Sequence, residues 1–424
     1  MGGETPSSGG AQDRGHGRDE DRALALALQR RWDEALRPEP DWDALLGAAA
    51  WQRVGPLLYS RIRRDGVEGR VPKAVLERLA AEYRSTARRN QMVLQLLGDV
   101  LDRLNGDDIP SVVLKGPALA GPVYGDLGLR PMCDLDLLLR AEDVDRALAT
   151  LGRAGYVEGG EPELRPGFHR EFWVHRRVLS PGPRPWPVEL HWHLTFPLFV
   201  NRHVDYCGVW GRVEPTTLAQ RPALVLGPED WVLLQAAHPV YTHHLVRLLD
   251  LCDMDRLVRY LGDRLDWEAV LSIGAQYRWL PALATVLSQT VALFETPVPD
   301  GVIERAAAFR LPGLDRWQMR WWLAPGGSDL RERVLKLAFQ PGVASRLRFV
   351  WANLVPSRAY VLALYPGQPA RRLPYLYLHR LWRGLVRREE PGTSLHPVHT
   401  AEAGGQGRPV LKEQKPHNDG SSSK

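Results

Sequence analysis

From Val112 to Leu139 the chain reads VVLKGPALAGPVYGDLGLRPMCDLDLLL. This stretch decides the fold. The short β-branched run Ile109 to Leu114 predicts a strand, and Lys115-Gly116-Pro117 predicts a turn into a helix with proline in its first positions. At Asp134 to Leu139, leucines 135, 137 and 139 alternate with Asp134, Asp136 and Leu138, which predicts a second strand. A helix is expected from about Ala141 to Arg153.

Outward from this pair the pattern changes on both sides. Upstream, residues 21–106 repeat apolar side chains three and four apart (Leu76, Leu79, Ala80, Tyr83), predicting an N-terminal helical unit. Downstream, Glu171 to Leu179 and Pro187 to Leu194 read as strands around the turn formers Ser180-Pro181-Gly182-Pro183. The core is therefore assigned to 107–227. Pro228-Glu229-Asp230 opens a helical region, 228–300, and 301–390 is a basic helical region with 16 Arg and Lys against 6 Asp and Glu, and Trp317, Trp321, Trp322, Trp351 and Trp382 interleaved. Its apolar residues Leu335, Leu337, Phe339, Leu347, Phe349 and Leu354 are expected to pack on the core, with arginine outside and tryptophan inside. Residues 1–20 and 391–424 are polar and are read as disordered tails. The predicted class is α+β: a small mixed β-sheet flanked by an N-terminal helical unit and a mostly helical C-terminal half.

A 424-residue chain that is 44% hydrophobic and 25% charged has the composition of a folded protein of two or three packed units. Its net charge of +5 suits anionic ligands, but no nucleic-acid-reading module is present, so nucleic acid is not the expected partner. Three well-separated cysteines, Cys133, Cys207 and Cys252, form neither a disulfide framework nor a CxxC zinc site, and the N-terminus lacks the order of a signal peptide. A cytoplasmic location is expected.

Asp134 and Asp136, two apart on a strand, project from one face, where two carboxylates can share a divalent ion; magnesium suits an all-oxygen set and keeps sites for phosphate oxygens. In Val188-Glu189-Leu190-His191-Trp192-His193 the same alternation puts Glu189, His191 and His193 on one face, and Glu189 is the candidate third carboxylate. The bland alternatives are solvent-facing strands, and a zinc site at the His pair lacks a third ligand at a recognisable spacing. Lys115 and Arg130 are candidates for countering phosphate charge, with Gly116 in the turn. His238, His243 and His244 with Asp250, Asp253 and Asp255 look like a metal cluster but fit helix positions equally well. Arg247 and Asp253 are better candidates for pairing, or for facing the cleft.

The order LKG (Leu114 to Gly116), Tyr124, then Arg130-Pro131-Met132-Cys133-Asp134-Leu135-Asp136 resembles the uncharacterised nucleotidyltransferase family of the polymerase-beta superfamily. Glu189-Leu190-His191-Trp192 is similar to that family's acidic-apolar-His-Trp element, and the stretch with His238, Arg247 and Asp253 to its helix pair after the sheet. The resemblance implies Mg2+-dependent, or Mn2+-dependent, transfer of a nucleoside monophosphate from a nucleoside triphosphate to a hydroxyl or similar group of a small-molecule or peptide acceptor, and suggests a tailoring step in natural-product biosynthesis. Asp134, Asp136 and Glu189 would hold metal, and Lys115, Gly116 and Arg130 the nucleotide. One departure stands out: Pro117 follows Gly116 and offers no N–H to a phosphate. It keeps a second expectation open, a catalytically degenerate nucleotide- or peptide-binding accessory protein. The basic 301–390 region adds peripheral membrane contact as a further candidate interaction.

Overall fold

A computed structural model describes residues 13–159, 163–182, 186–324, 335, 337–340 and 342–386. Helices dominate it, and one mixed sheet of seven strands stands at its centre, in the order β3-β4-β5-β2-β1-β7-β6. The strands are β1 (Val112–Val113), β2 (Leu135–Leu138), β3 (Val157–Glu158), β4 (His175–Leu179), β5 (Pro187–His191), β6 (Glu214–Leu218) and β7 (Arg221–Val225). Two pairings are parallel, β2 with β5 and β1 with β7; the remaining neighbours are antiparallel. The α+β class and the small mixed sheet agree with expectation.

β2 is the central strand, and all four of its residues are buried. The 34-residue helix Lys73–Gly106 buries Val93, Leu97, Leu101 and Leu104 and also positions the loop that leads into β2. Its Asn90 Nδ2 donates to the carbonyls of Leu127 and Arg130 at 2.7 Å each, and Tyr83 Oη donates to Asp126. Gly128 fits here because a Cβ on it would stand 2.3 Å from Tyr83 Cε2. The ring and the loop backbone share one space.

Several boundaries differ from the sequence expectation. The helix Asp13–Leu28 occupies part of the segment read as a tail; its Leu24, Ala27 and Leu28 are buried, and packing supplies what its polar start lacks. Residues 391–424 lie outside the described residues. The expected strand from Glu171 begins only at His175, since Phe168–Phe172 is helical and packs its phenylalanines on Phe349. β5 stops at His191, short of Leu194. The β6–β7 hairpin was not expected; its turn is Ala219-Gln220, both with left-handed φ (50° and 60°).

The basic C-terminal region is corrected in part. Trp322, Leu335 and Phe339 are buried against Phe196 and Phe199, as expected of core-packing residues. Trp317, Trp321, Trp351 and Trp382 instead face out, as do Leu347 and Leu354. Among the described residues no helix is long and apolar enough to cross a membrane, and the three cysteines are free.

Candidate active site

β2 and β5 run side by side with Asp136 opposite Glu189, so the pleat turns both carboxylates to one face of the sheet. Asp134 stands just before β2. Carboxylate oxygens of Asp134, Asp136 and Glu189 lie within 4.8 Å of one another, close enough to share an ion. Asp136 and Glu189 are buried, with only 1% and 6% of their surface exposed. Burying carboxylates is costly without compensating charge, and two cations and a histidine are built around them.

Lys115 Nζ lies 3.2 Å from Asp136 Oδ1. Its residue has a left-handed φ of 50°, a conformation that costs a non-glycine residue about 1 kcal/mol or more and directs the side chain back over the sheet. Burial alone would strip its charge, but Asp136, Asp134 and Glu189 outweigh burial and hold its pKa above the usual value. Arg177, which pairs with Glu189 across β4 and β5, donates to Glu189 Oε1 through Nε (3.1 Å) and Nη2 (2.5 Å). His191 Nε2 is 2.7 Å from Asp136 Oδ1; burial lowers its pKa, but the hydrogen bonds to Asp136 and Glu189 prevail and the net shift is upward. Glu189 is held well below the ordinary carboxylate range because His175, His191 and Lys115 outweigh the opposing effect of burial. For His175 burial dominates and lowers its pKa to about 3.

The remaining expected residues sort into two groups. Tyr124, Arg130 and Asp253 form one buried network rather than a phosphate-facing row. Arg130 Nε and Nη2 donate to Asp253 at 2.8–3.1 Å, and Tyr124 Oη donates to Asp253 Oδ1 at 2.6 Å. Arg130 thus spends Nε and Nη2 on Asp253, and its Nη1 lies towards Gly116, 3.4 Å from where a Cβ there would lie. Arg247 does not pair with Asp253: its backbone N–H donates to Asp250 and its guanidinium lies over the Trp51 ring. His193 falls beyond β5 and packs on Tyr206, so it does not share the face of Glu189 and His191. The helix after Gly116 is only six residues long, Lys115–Ala120, with Pro117 at its third position. Among the described residues the His238 to Asp255 group does not bring three metal-capable side chains together. His238 opens a π-helical turn, and Lys115 and His191 act on its pKa, which burial first of all lowers well below its usual value.

A family model described as an uncharacterised nucleotidyltransferase matches residues 38–295, more than half of the chain. The chain belongs to that family. Its match spans the long helix, the sheet with the carboxylate cluster and the helices that carry Asp253. Among solved structures, an antigenic nucleotidyltransferase-like protein from Paracoccidioides brasiliensis is similar at 13% identity, over 51% of this chain and 92% of that one, with a TM-score of 0.30. No match is found among curated proteins. Around the carboxylate cluster, sequence reasoning missed His175 and Arg177. The available signal was their alternation on β4, but their meaning depends on the β4–β5 register, which no local pattern encodes.

Proposed function

We propose that this member of the nucleotidyltransferase family transfers a nucleoside monophosphate from a nucleoside triphosphate to a hydroxyl or similar group of a small molecule or peptide. The observation that carries the proposal is the convergence of Asp134, Asp136 and Glu189 on one face of two adjacent parallel strands. An acceptor oxygen would attack the α-phosphorus, the bond to the β-phosphate oxygen would break, and pyrophosphate would leave. The acceptor's proton would pass to a carboxylate of the cluster.

The residues fit a hard divalent cation. Three carboxylates supply oxygen donors, and Asp136 Oδ2 is buried yet accepts no hydrogen bond. Magnesium or manganese, when bound, supplies charge to steady the triphosphate and the leaving pyrophosphate. Lys115, kept charged by its carboxylate neighbours, and Arg130 Nη1 beside Gly116 bring cations to the phosphate side of the cleft.

The test is magnesium-dependent pyrophosphate release from each of the four nucleoside triphosphates, with and without extract of the source cells as an acceptor supply. Asp136→Asn keeps shape and removes charge, and a loss of at least about 100-fold in rate is expected. An unchanged rate in that variant would remove the carboxylates from the mechanism. Pro117, which has no N–H for a phosphate, favours a second reading as a nucleotide-binding accessory protein. Nucleotide binding abolished by Asp136→Asn, with no pyrophosphate released under any condition, would select it.

The C-terminal helices support peripheral contact with an anionic lipid surface. Leu314, Trp317 and Trp321 on Gly313–Trp322, and Val343, Leu347, Trp351 and Leu354 on Gly342–Leu354, form exposed apolar stripes at helical spacing. Exposed Arg316, Arg320, Arg371 and Arg372 supply matching positive charge. Co-sedimentation with phosphatidylserine vesicles but not with phosphatidylcholine vesicles is the expected result; equal failure with both would reject it.

A further inference from the structure

Glu189 belongs to a second donor set besides the all-carboxylate one. We infer that His175, Glu189 and His191 form a binding site for a divalent transition ion of the zinc class, adjoining the all-carboxylate site through Glu189. His175 Nε2 and His191 Nε2 stand 3.6 and 3.5 Å from the same oxygen, Glu189 Oε2. These separations are long for hydrogen bonds, yet they match the roughly 3.4 Å between donors around a tetrahedral ion with bonds of about 2.05 Å. Ligand atoms of all three residues lie within 4.8 Å of one another.

The placement is set by strand register. His175 lies opposite His191 on antiparallel β4 and β5, and Glu189 precedes His191 by two, so all three side chains share a face. Arg177 occupies Oε1 of Glu189 and leaves Oε2 to the two rings. Asp136 Oδ1 now holds His191 Nε2 at 2.7 Å, a hydrogen-bond distance, so binding an ion at Nε2 requires that contact to give way. Two imidazoles with a carboxylate select zinc, cobalt or nickel over magnesium, which prefers oxygen alone. The two neighbouring sets thus differ in the ion they favour. Neither ring's Nδ1 has a hydrogen-bond partner, so no outer acceptor fixes either imidazole, and binding should be weaker than where an outer carboxylate holds each ring.

This deepens the proposal for the same cleft and rests on it only for the role of Glu189. Its test uses no nucleotide, so absence of nucleotidyl transfer leaves the result intact. Full-length protein stripped of metal is titrated with Co2+ as a zinc surrogate. Intense visible d–d bands saturating near one equivalent are expected, displaced by Zn2+ but not by excess Mg2+. His175→Ala should lower the affinity at least about tenfold and abolish the bands, while Asp134→Asn should retain them. X-ray absorption of the wild-type zinc complex requires no variant and should show scattering from two imidazole rings. Weak octahedral cobalt absorption, unchanged affinity in a His175→Ala variant with native circular dichroism, or a zinc spectrum with oxygen neighbours only would overturn the inference.

Discussion

Replacing Asp253 by alanine removes the acceptor around which two segments of the chain are joined. Asp253 is fully buried on the helix Leu248–Leu261, while its donors Arg130 and Tyr124 belong to the loop before β2. Arg130 keeps only 12% of its side chain exposed, so losing Asp253 leaves a buried guanidinium without its counter-charge. Breaking such a pair costs about 3–5 kcal/mol, a large part of the roughly 5–15 kcal/mol that stabilises a typical folded protein. The Tyr124 hydroxyl also loses its partner, but this adds little separately because both donors share one acceptor. Urea unfolding followed by tryptophan fluorescence should show the loss as a lowered midpoint. Arg130→Met combined with Asp253→Leu should recover more than half of it, because no buried charge then remains unpaired. A loss below about 1 kcal/mol for Asp253→Ala, or a double variant as unstable as the sum of the single ones, would refute this account of the network.

Burial raises the pKa of Asp250 to about 6, so the folded state binds a proton more tightly than the unfolded chain does, and stability falls as pH rises from about 4 to 6. Asp250→Asn, which still accepts from the Arg247 N–H, should stabilise the protein above pH 6 and have no effect below pH 4; thermal melts across that range are the check. Gly128→Ala drives a methyl group into the Tyr83 ring and should cost about 1–3 kcal/mol, and Tyr83→Leu in the same chain should relieve it, both measured by urea midpoints.

Much of the sheet was legible because its signals are local. Alternation in Asp134 to Leu139 and in Val188 to His191 gave two strands and the face of their carboxylates, which the parallel register of Asp136 with Glu189 then joins. What was illegible depends on contacts distant in sequence. Ala219-Gln220 carries no glycine or asparagine, so the β6–β7 hairpin was hidden until packing forced left-handed backbone there. The Asp13–Leu28 helix begins with polar residues and is anchored by Leu24, Leu26, Ala27 and Leu28 near its end. In the C-terminal helices, apolar residues fall on more than one face, and spacing alone could not tell that Trp322 turns inward while Trp317 and Trp321 turn outward.

The same dependence on register explains the charge balance of the cleft. Asp134, Asp136 and Glu189 bring three negative charges to one face, and Lys115 and Arg177 return two positive ones. Neither cation lies on the strands that carry the carboxylates. Lys115 reaches in from the turn after β1, and Arg177 from β4. Lys115 and Arg177 offset part of that charge, which limits the repulsion among the carboxylates while leaving them able to attract a divalent ion. A bound dication would make the face more positive, which would favour a triphosphate there. Charge order therefore argues for metal before nucleotide. Triphosphate affinity should rise with magnesium in the wild-type chain, whereas Arg177→Ala, which leaves the face more negative, should weaken triphosphate binding at a fixed magnesium concentration.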